Sequence, residues 1–116
     1  MSTDPNCIFC KIVANQVPSK RVFEDEELVV FHDINPAAPV HLLVVPKEHF
    51  ATLDDAQPRH QALLGRMVLM SSRLAREHGA VNGYRVVVNN GPDGGQEVAH
   101  LHLHVLGGPR PWSRLG

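Results

Sequence analysis

The sequence predicts an α+β domain: a five-stranded, mostly antiparallel sheet carrying one long helix and one short helix. Three observations predict it. Residues 54–78 hold an apolar stripe of helical period, made of Leu63, Leu64, Met67, Met70 and Leu74. Short apolar segments bounded by Gly, Pro, Asn and Asp recur on both sides of that helix, as strands do. Residues 100–106, His-Leu-His-Leu-His-Val-Leu, alternate polar with apolar, the two-residue period of a strand. At 116 residues the chain is sized for one domain, 1–116, with 1–5 a flexible start and 109–116 a tail.

The elements follow in order. Residues 7–15 place Ile8, Phe9, Ile12 and Val13 on one side of a short amphipathic helix, which Pro18 ends. Residues 21–24 and 28–33 read as a hairpin closed by the acidic turn 25–27. Residues 34–39, with two prolines, form a bend, and 41–45 an apolar strand stopped by Pro46. The long helix takes Pro58 in its first turn and stops at Gly79. Its methionines read as core rather than as a binding face. Asn82-Gly83 turns the chain into a strand over 84–89, and 91–95 is a glycine-rich loop. The last strand spans 98–106 before Gly107-Gly108-Pro109.

Composition excludes several classes. A formal net charge of -1 gives no general attraction to nucleic acid or an anionic membrane. The longest apolar run falls well short of the ~20 residues a bilayer span needs. Residues 1–6 are polar and include Pro5, unlike a signal peptide, so the expected location is the cytoplasm.

Eight histidines are present, and His100, His102 and His104 stand at alternate positions. In a strand the three imidazoles share one face, while Leu101, Leu103 and Val105 share the other. The leucine face needs a helix to cover it, so the imidazole face is expected to line a cleft or solvent. The outer two histidines stand about 13 Å apart along a strand, too far for the three to converge on one metal ion. Immediately upstream, Asn90-Gly91-Pro92-Asp93-Gly94-Gly95-Gln96 is a loop whose backbone N–H groups can approach an anion closely. A glycine loop leading into a row of imidazoles suggests phosphate chemistry, since neutral imidazole is a good nucleophile near pH 7. The middle histidine has a partner on each side and is the natural attacker.

Cys7 and Cys10 stand at Cys-x-x-Cys spacing. Three readings are open: a redox pair, which wants a βαβ context that this helix lacks; half of a zinc site, which needs two further ligands; or two unrelated thiols. His60 and His78 fall on the long helix and read as surface residues, and His32 as structural.

Residues 91–108, with Asp93-Gly94-Gly95-Gln96 and the alternating histidines, closely resemble the histidine-triad (HIT) proteins, in particular their purine nucleoside phosphoramidase branch. Ile8-Phe9-Cys10-Lys11-Ile12, Phe31-His32-Asp33-Ile34, Pro39-Val40-His41 and Pro46-Lys47-Glu48-His49 fit the same pattern, so the likeness covers nearly the whole chain. The resemblance implies the HIT fold and a hydrolase of purine nucleoside 5′-phosphoramidates or aminoacyl adenylates. It implies His102 as the nucleophile of a covalent nucleotidyl-histidine intermediate, with its other ring nitrogen donating to a backbone carbonyl. His104 would contact the α-phosphate, and His41 would complete the catalytic histidines. Asp33 would accept the ribose hydroxyls; Ile8, Phe9, Phe31 and Ile34 would line the base slot; Asn89 and the backbone of Gly95, Gln96 and Glu97 would hold phosphate or leaving group. Some family members bind a structural zinc, for which the matching ligands are Cys7, Cys10, His49 and His100. A twofold homodimer is implied as well, pairing the 84–89 strands and bringing Trp112 near the partner's cleft. Alternatives within and beyond the family are hydrolysis of dinucleoside polyphosphates and a purine-binding interaction module with weak catalysis.

Two departures bear on substrate choice. Glu97 stands where relatives carry a serine, and an ionised carboxylate can neither donate to nor attract a phosphate. It either points away or favours a cationic amine leaving group. Ala99 replaces a common tyrosine, and residues 109–116 differ from the tail that shapes leaving-group preference in relatives.

Overall fold

Asp25 closes the first hairpin: its carboxylate accepts from the backbone N–H groups of Glu27 and Leu28, each at 2.9 Å. That turn joins β1 (Arg21–Glu24) to β2 (Leu28–His32), and β2 pairs onward with β3 (Val40–Pro46). After the long helix α2 (Gln61–Glu77), β4 (Tyr84–Val87) and β5 (Leu103–Gly107) complete one sheet of order β1-β2-β3-β5-β4. Every neighbouring pair is antiparallel. The short helix α1 (Ile8–Val13) precedes β1. The computed structural model describes residues 2–112. The expectations placed on Met1 and on residues 113–116 of the tail lie outside the described residues. No helix among the described residues is long and apolar enough to cross a membrane.

The near-continuous apolar content of β2 and β3 has a simple cause: both faces of the sheet are covered. Leu28, Val30, Leu42, Val44, Leu103 and Val105 pack with Leu63, Met67 and Leu74 of α2 on one face. Val29, Phe31, Leu43 and Val45 pack with Phe9, Cys10 and Ile12 of α1 on the other. The expected helix over 54–78 begins later than its stripe suggests. Residues Leu53–Asp55 and Pro58–His60 are separate 3-10 turns, and the α-helix proper starts at Gln61. Its buried positions are Leu63, Met67, Ser71, Leu74 and Ala75, while Leu64 and Met70 are half-buried. In α1 the buried set is Phe9, Cys10 and Ile12, with Ile8 exposed, so the helix is rotated relative to the expected stripe.

One histidine expectation and one strand boundary change. His60 is buried, not a surface residue: its ring stacks on Phe50 at 4.3 Å, and its Nδ1 accepts from the N–H of Gln57 at 2.9 Å. The last strand starts at Leu103 rather than at residue 98. Ahead of it the chain bends, with His100 N–H donating to the Val98 carbonyl at 2.8 Å and Leu101 N–H to Phe50 at 2.9 Å. Local bonding there replaces the strand ladder.

Candidate active site and metal centre

The imidazole face, expected to line a cleft or solvent, is covered over His100 and His102 and partly open at His104. His100 is fully buried and His102 nearly so, because Phe9 of α1 lies across both, with ring centroids 5.9 Å and 5.0 Å away. His104, further along β5, is half-buried and 4.9 Å from the His102 ring. Burial on one side and a partly open neighbour on the other divide the row into two sites.

The first site gathers Cys7, Cys10, His49 and His100, whose donor atoms all lie within 4.8 Å of one another. Cys7 caps α1, accepting from the Cys10 N–H at 3.4 Å, and so brings both sulfurs to the helix start. His100 Nε2 donates to the Pro46 carbonyl at 2.8 Å, which leaves the Nδ1 lone pair facing the sulfurs. Nδ1 of His100 stands 3.4 Å from Cys7 Sγ, 3.6 Å from Cys10 Sγ and 3.1 Å from His49 Nδ1; His49 Nδ1 is 3.4 Å from Cys10 Sγ. Donors on adjacent corners of a tetrahedral zinc site stand about 3.3 Å apart for two nitrogens and about 3.6 Å for nitrogen and sulfur. The donor set fits zinc in both chemistry and spacing, and its four protein ligands leave no open position. The two thiols are free rather than joined as a disulfide, and burial pushes the Cys10 thiol up. Burial also lowers His100 to about 4, against a partial rise from the Pro46 carbonyl, so its imidazole is neutral at pH 7.

The second site lies on β3 and β5. His102 Nδ1 donates to the carbonyl of His100 at 2.7 Å, which fixes the proton there and leaves a lone pair on Nε2. Burial lowers the His102 pKa, while that carbonyl and the charges of Asp33 and Glu97 pull the other way. Across the β3–β5 pairing, Leu43 opposes His104 and His41 opposes Leu106. The Ala37 N–H donates to His41 Nδ1 at 2.9 Å, so the proton of neutral His41 sits on Nε2. That Nε2 is 2.9 Å from His104 Nδ1 and 3.4 Å from Asp33 Oδ2. His104 Nδ1 is thereby an acceptor, and the proton of its neutral form lies on Nε2.

The remaining candidates divide by what their side chains already hold. Asp33 accepts from the Asn35 N–H at 2.8 Å and, with His41, lines a cavity of about 670 Å³. Phe9 and Phe31 pack edge-on at 5.7 Å in the α1 face of the core. Ile8 is exposed, and Ile34 is 98% exposed at the same cavity as Asp33, so neither is packed with the two phenylalanines. The Asn89 amide donates to Gly94 O at 2.7 Å. The Gln96 side chain is committed to the scaffold: it accepts from Gly91 N–H and donates to the carbonyls of Ala51 and Val98. Gly95 holds φ +75°, and a Cβ on Gly94 would sit 2.4 Å from the Asn90 carbonyl, so glycine is required at both. Glu97 is exposed. The Ala37 amide carries no signal in the sequence, because a backbone N–H leaves no compositional trace; only the proline-bounded bend at 34–39 marks its neighbourhood.

Comparison with known proteins points one way. A family model described as the HIT domain matches residues 14–110. The chain is 53% identical over 104 residues to Protein HitA of Neisseria gonorrhoeae, covering 90% of this chain and 97% of that one. It is 44% identical to the 14 kDa zinc-binding protein of Zea mays, over 90% of this chain and 84% of that one. Among solved structures, a HIT family hydrolase from Legionella pneumophila aligns with TM-score 0.87 at 45% identity, covering 90% and 95% of the two chains. A zinc-bound histidine-triad family protein from Mycobacterium smegmatis aligns with TM-score 0.79 at 35% identity, covering 88% and 74%.

Proposed function

This chain belongs to the HIT domain family, and from that premise we propose that it hydrolyses purine nucleoside 5′-phosphoramidates or related AMP derivatives such as aminoacyl adenylates. The observation that carries the reading is the His102 tautomer: with Nδ1 donating to the His100 carbonyl, Nε2 presents its lone pair beside His104. Nε2 attacks the α-phosphorus. In a phosphoramidate the P–N electron pair stays on the nitrogen, which takes up a proton and departs as an amine, leaving a nucleotidyl-histidine; in an aminoacyl adenylate the P–O pair leaves with the carboxylate, which needs no proton. Water then attacks the phosphorus, releases His102 and returns the proton the amine took, so the sum is P–N bond plus water giving AMP and amine.

Neighbouring groups prepare that step. The Ala37 amide holds His41 as an Nε2–H donor, His41 holds His104 Nδ1 as an acceptor, and His104 then offers Nε2–H to a phosphate oxygen. Asp33 accepts the ribose hydroxyls, and of the four base-slot candidates Ile34, at the same cavity, flanks the base. The backbone around Gly95, Gln96 and Glu97, with Asn89, holds the phosphate or leaving group. Cys7, Cys10, His49 and His100 hold a structural zinc, which when bound ties α1 to the sheet. The zinc-binding relatives and the spacing of the donors support this. The assembly we propose is a homodimer joined through β4, which pairs with β5 on one side only.

A substrate panel tests the reading. AMP release is expected to be fastest from adenosine 5′-phosphoramidate or an aminoacyl adenylate. Faster release from dinucleoside polyphosphates would replace this reading with the polyphosphate one, and AMP binding with no turnover of any of them would leave a binding module.

A further inference from the structure

The glycine loop that leads into the histidines is closed on itself. The N–H groups of Gly94 and Gln96 donate to the Gly91 carbonyl at 3.2 Å and 3.1 Å, and that of Gly95 to the Pro92 carbonyl at 3.1 Å. Gly94 also lies against the backbone of Asn90, where a Cβ would stand 2.4 Å from the carbonyl oxygen. Such bonds fix the shape of a loop but not its place on the sheet, which depends on the groups that tie it to its neighbours. Two side chains reach out of the loop, and both reach the segment 51–54. Gln96 donates to the Ala51 carbonyl at 2.6 Å. Asn90 accepts the Leu53 N–H on Oδ1 at 2.7 Å and donates from Nδ2 to Asp54 Oδ2 at 3.3 Å.

The receiving side is equally fixed. Leu53 opens the turn Leu53–Asp55, and the first N–H of a helical turn has no acceptor inside it. Asp55 closes that turn, its Oδ2 accepting from the Thr52 N–H at 3.2 Å and the Thr52 hydroxyl at 2.9 Å. Three residues ahead of Leu53, the Phe50 carbonyl accepts the N–H of Leu101, between His100 and His102, at 2.9 Å. A ring of links thus runs from the loop through Asn90 to the turn, back to Phe50, and across to the histidines. Asn90 is the outermost link, and the proposed reaction gives it no contact with the nucleotide. Because the inner amides of the loop are spent on its own carbonyls, two donors named above remain for a phosphate. One is the Glu97 N–H, which meets no protein acceptor among the described residues. The other is the second amide proton of Asn89, whose first goes to Gly94 O at 2.7 Å.

We infer that Asn90, through its paired bonds to Leu53 and Asp54, is a positioning residue that holds these donors where the phosphate of the nucleotide meets them. The inference rests on the phosphate role proposed above for this loop. Both functions of the Asn90 amide are used on one turn, a match that alanine removes and aspartate half removes. Asn90→Asp keeps the acceptor for the Leu53 N–H but sets a second carboxylate against Asp54. Adding Asp54→Asn exchanges donor and acceptor and restores the pair. Exposed bonds of this kind contribute little to global stability, so the expected loss is of position rather than of fold.

The test titrates full-length protein with AMP and with adenosine, which differ in the phosphate alone. Asn90→Ala and Asn90→Asp are each expected to raise the Kd for AMP at least about tenfold and to leave that for adenosine within about twofold. Asp54→Asn alone keeps an acceptor for Asn90 and is expected to bind both ligands as the unmodified protein does. The exchanged pair Asn90→Asp/Asp54→Asn is expected to return the AMP Kd to within about threefold of the unmodified value. An unchanged AMP Kd in folded Asn90→Ala, an equal loss for adenosine and AMP, or an exchanged pair that folds without recovering AMP binding overturns the inference and leaves the hydrolysis reading standing. Loss of fold in both single variants, seen by circular dichroism, makes the pair a requirement of the fold and overturns it as well. Equal affinity of the unmodified protein for AMP and adenosine refutes the phosphate role of the loop itself, and this inference with it.

Discussion

His100 and His102 are both buried, and each spends one ring nitrogen on a backbone carbonyl, yet opposite nitrogens are spent. His100 gives Nε2 to Pro46 and keeps Nδ1; His102 gives Nδ1 to His100 and keeps Nε2. In the reaction proposed above, that difference, rather than the residue type, separates the zinc ligand from the nucleophile. His102→Ala is expected to lower kcat/KM for AMP release by at least about a thousandfold while AMP still binds, since no neighbour presents a lone pair in its place. Kinetics beside calorimetric titration with AMP check this, and a loss of less than tenfold removes His102 from the nucleophile's role. The alternation of residues 100–106 made the shared face of the imidazoles legible in the sequence. Their burial was not legible, because the covering Phe9 comes from a helix about 90 positions earlier and the period of a strand says nothing about its second face. The side-chain bonds of Gln96 were equally hidden, since three distant backbone groups supply them.

Among the elements, α1 has six residues and is too short to be stable by itself. It is held by Phe9 and Ile12 against the sheet and by the Cys7–Cys10 pair against His49 and His100. Protein purified without chelator is therefore expected to carry about one zinc per chain by elemental analysis. Cys10→Ser is expected to lose that zinc and more than about 5 °C of melting temperature. Fresh protein free of zinc overturns the assignment. The β1–β2 hairpin offers a second test. Burial raises the Asp25 pKa, but the amides of Glu27 and Leu28 and the Arg66 guanidinium outweigh it and hold the carboxyl below its ordinary value. Asp25→Ala is expected to destabilise the fold by about 1–2 kcal/mol, through loss of the turn and of the contact to α2. Because the folded pKa is depressed, the contribution of the charge is complete above the unfolded value near 4 and is lost as pH falls through the folded value. The gap in melting temperature between the unmodified protein and Asp25→Asn is thus expected to narrow below pH 4; a gap constant from pH 7 to pH 3 rules out the charge. The hairpin and α2 were legible from turn residues and period. The late start of α2 was not, because the two 3-10 turns ahead of it keep a helix-like spacing of side chains.

For the whole molecule, the sheet is covered on two faces, while among the described residues nothing pairs with the outer side of β4. β4 is half-buried along its length and carries Val86 and Val87 with Arg85 as its one charged residue. An uncovered edge of that kind is an association hazard, and a symmetric copy covers it. Light scattering at micromolar concentration is expected to give twice the mass of one chain, and a monomer with full activity removes the pairing. The covering of both sheet faces was not legible, and the edge position of β4 depends on a strand order that no local pattern encodes.

That strand order also sets how the backbone meets heavy water. β3 lies at the middle of the sheet, with β2 and β5 bonded to its two sides and helices over both faces, so its amide protons are expected to exchange only when the entire domain unfolds. β4 has one bonded neighbour, and the amides on its outer side should exchange through small local openings. If β4 pairs with a second copy as proposed, dilution that separates the copies accelerates deuterium uptake at β4 alone while β3 keeps its rate. Exchange mapped by residue would then read assembly at one strand and global stability at another within a single sample.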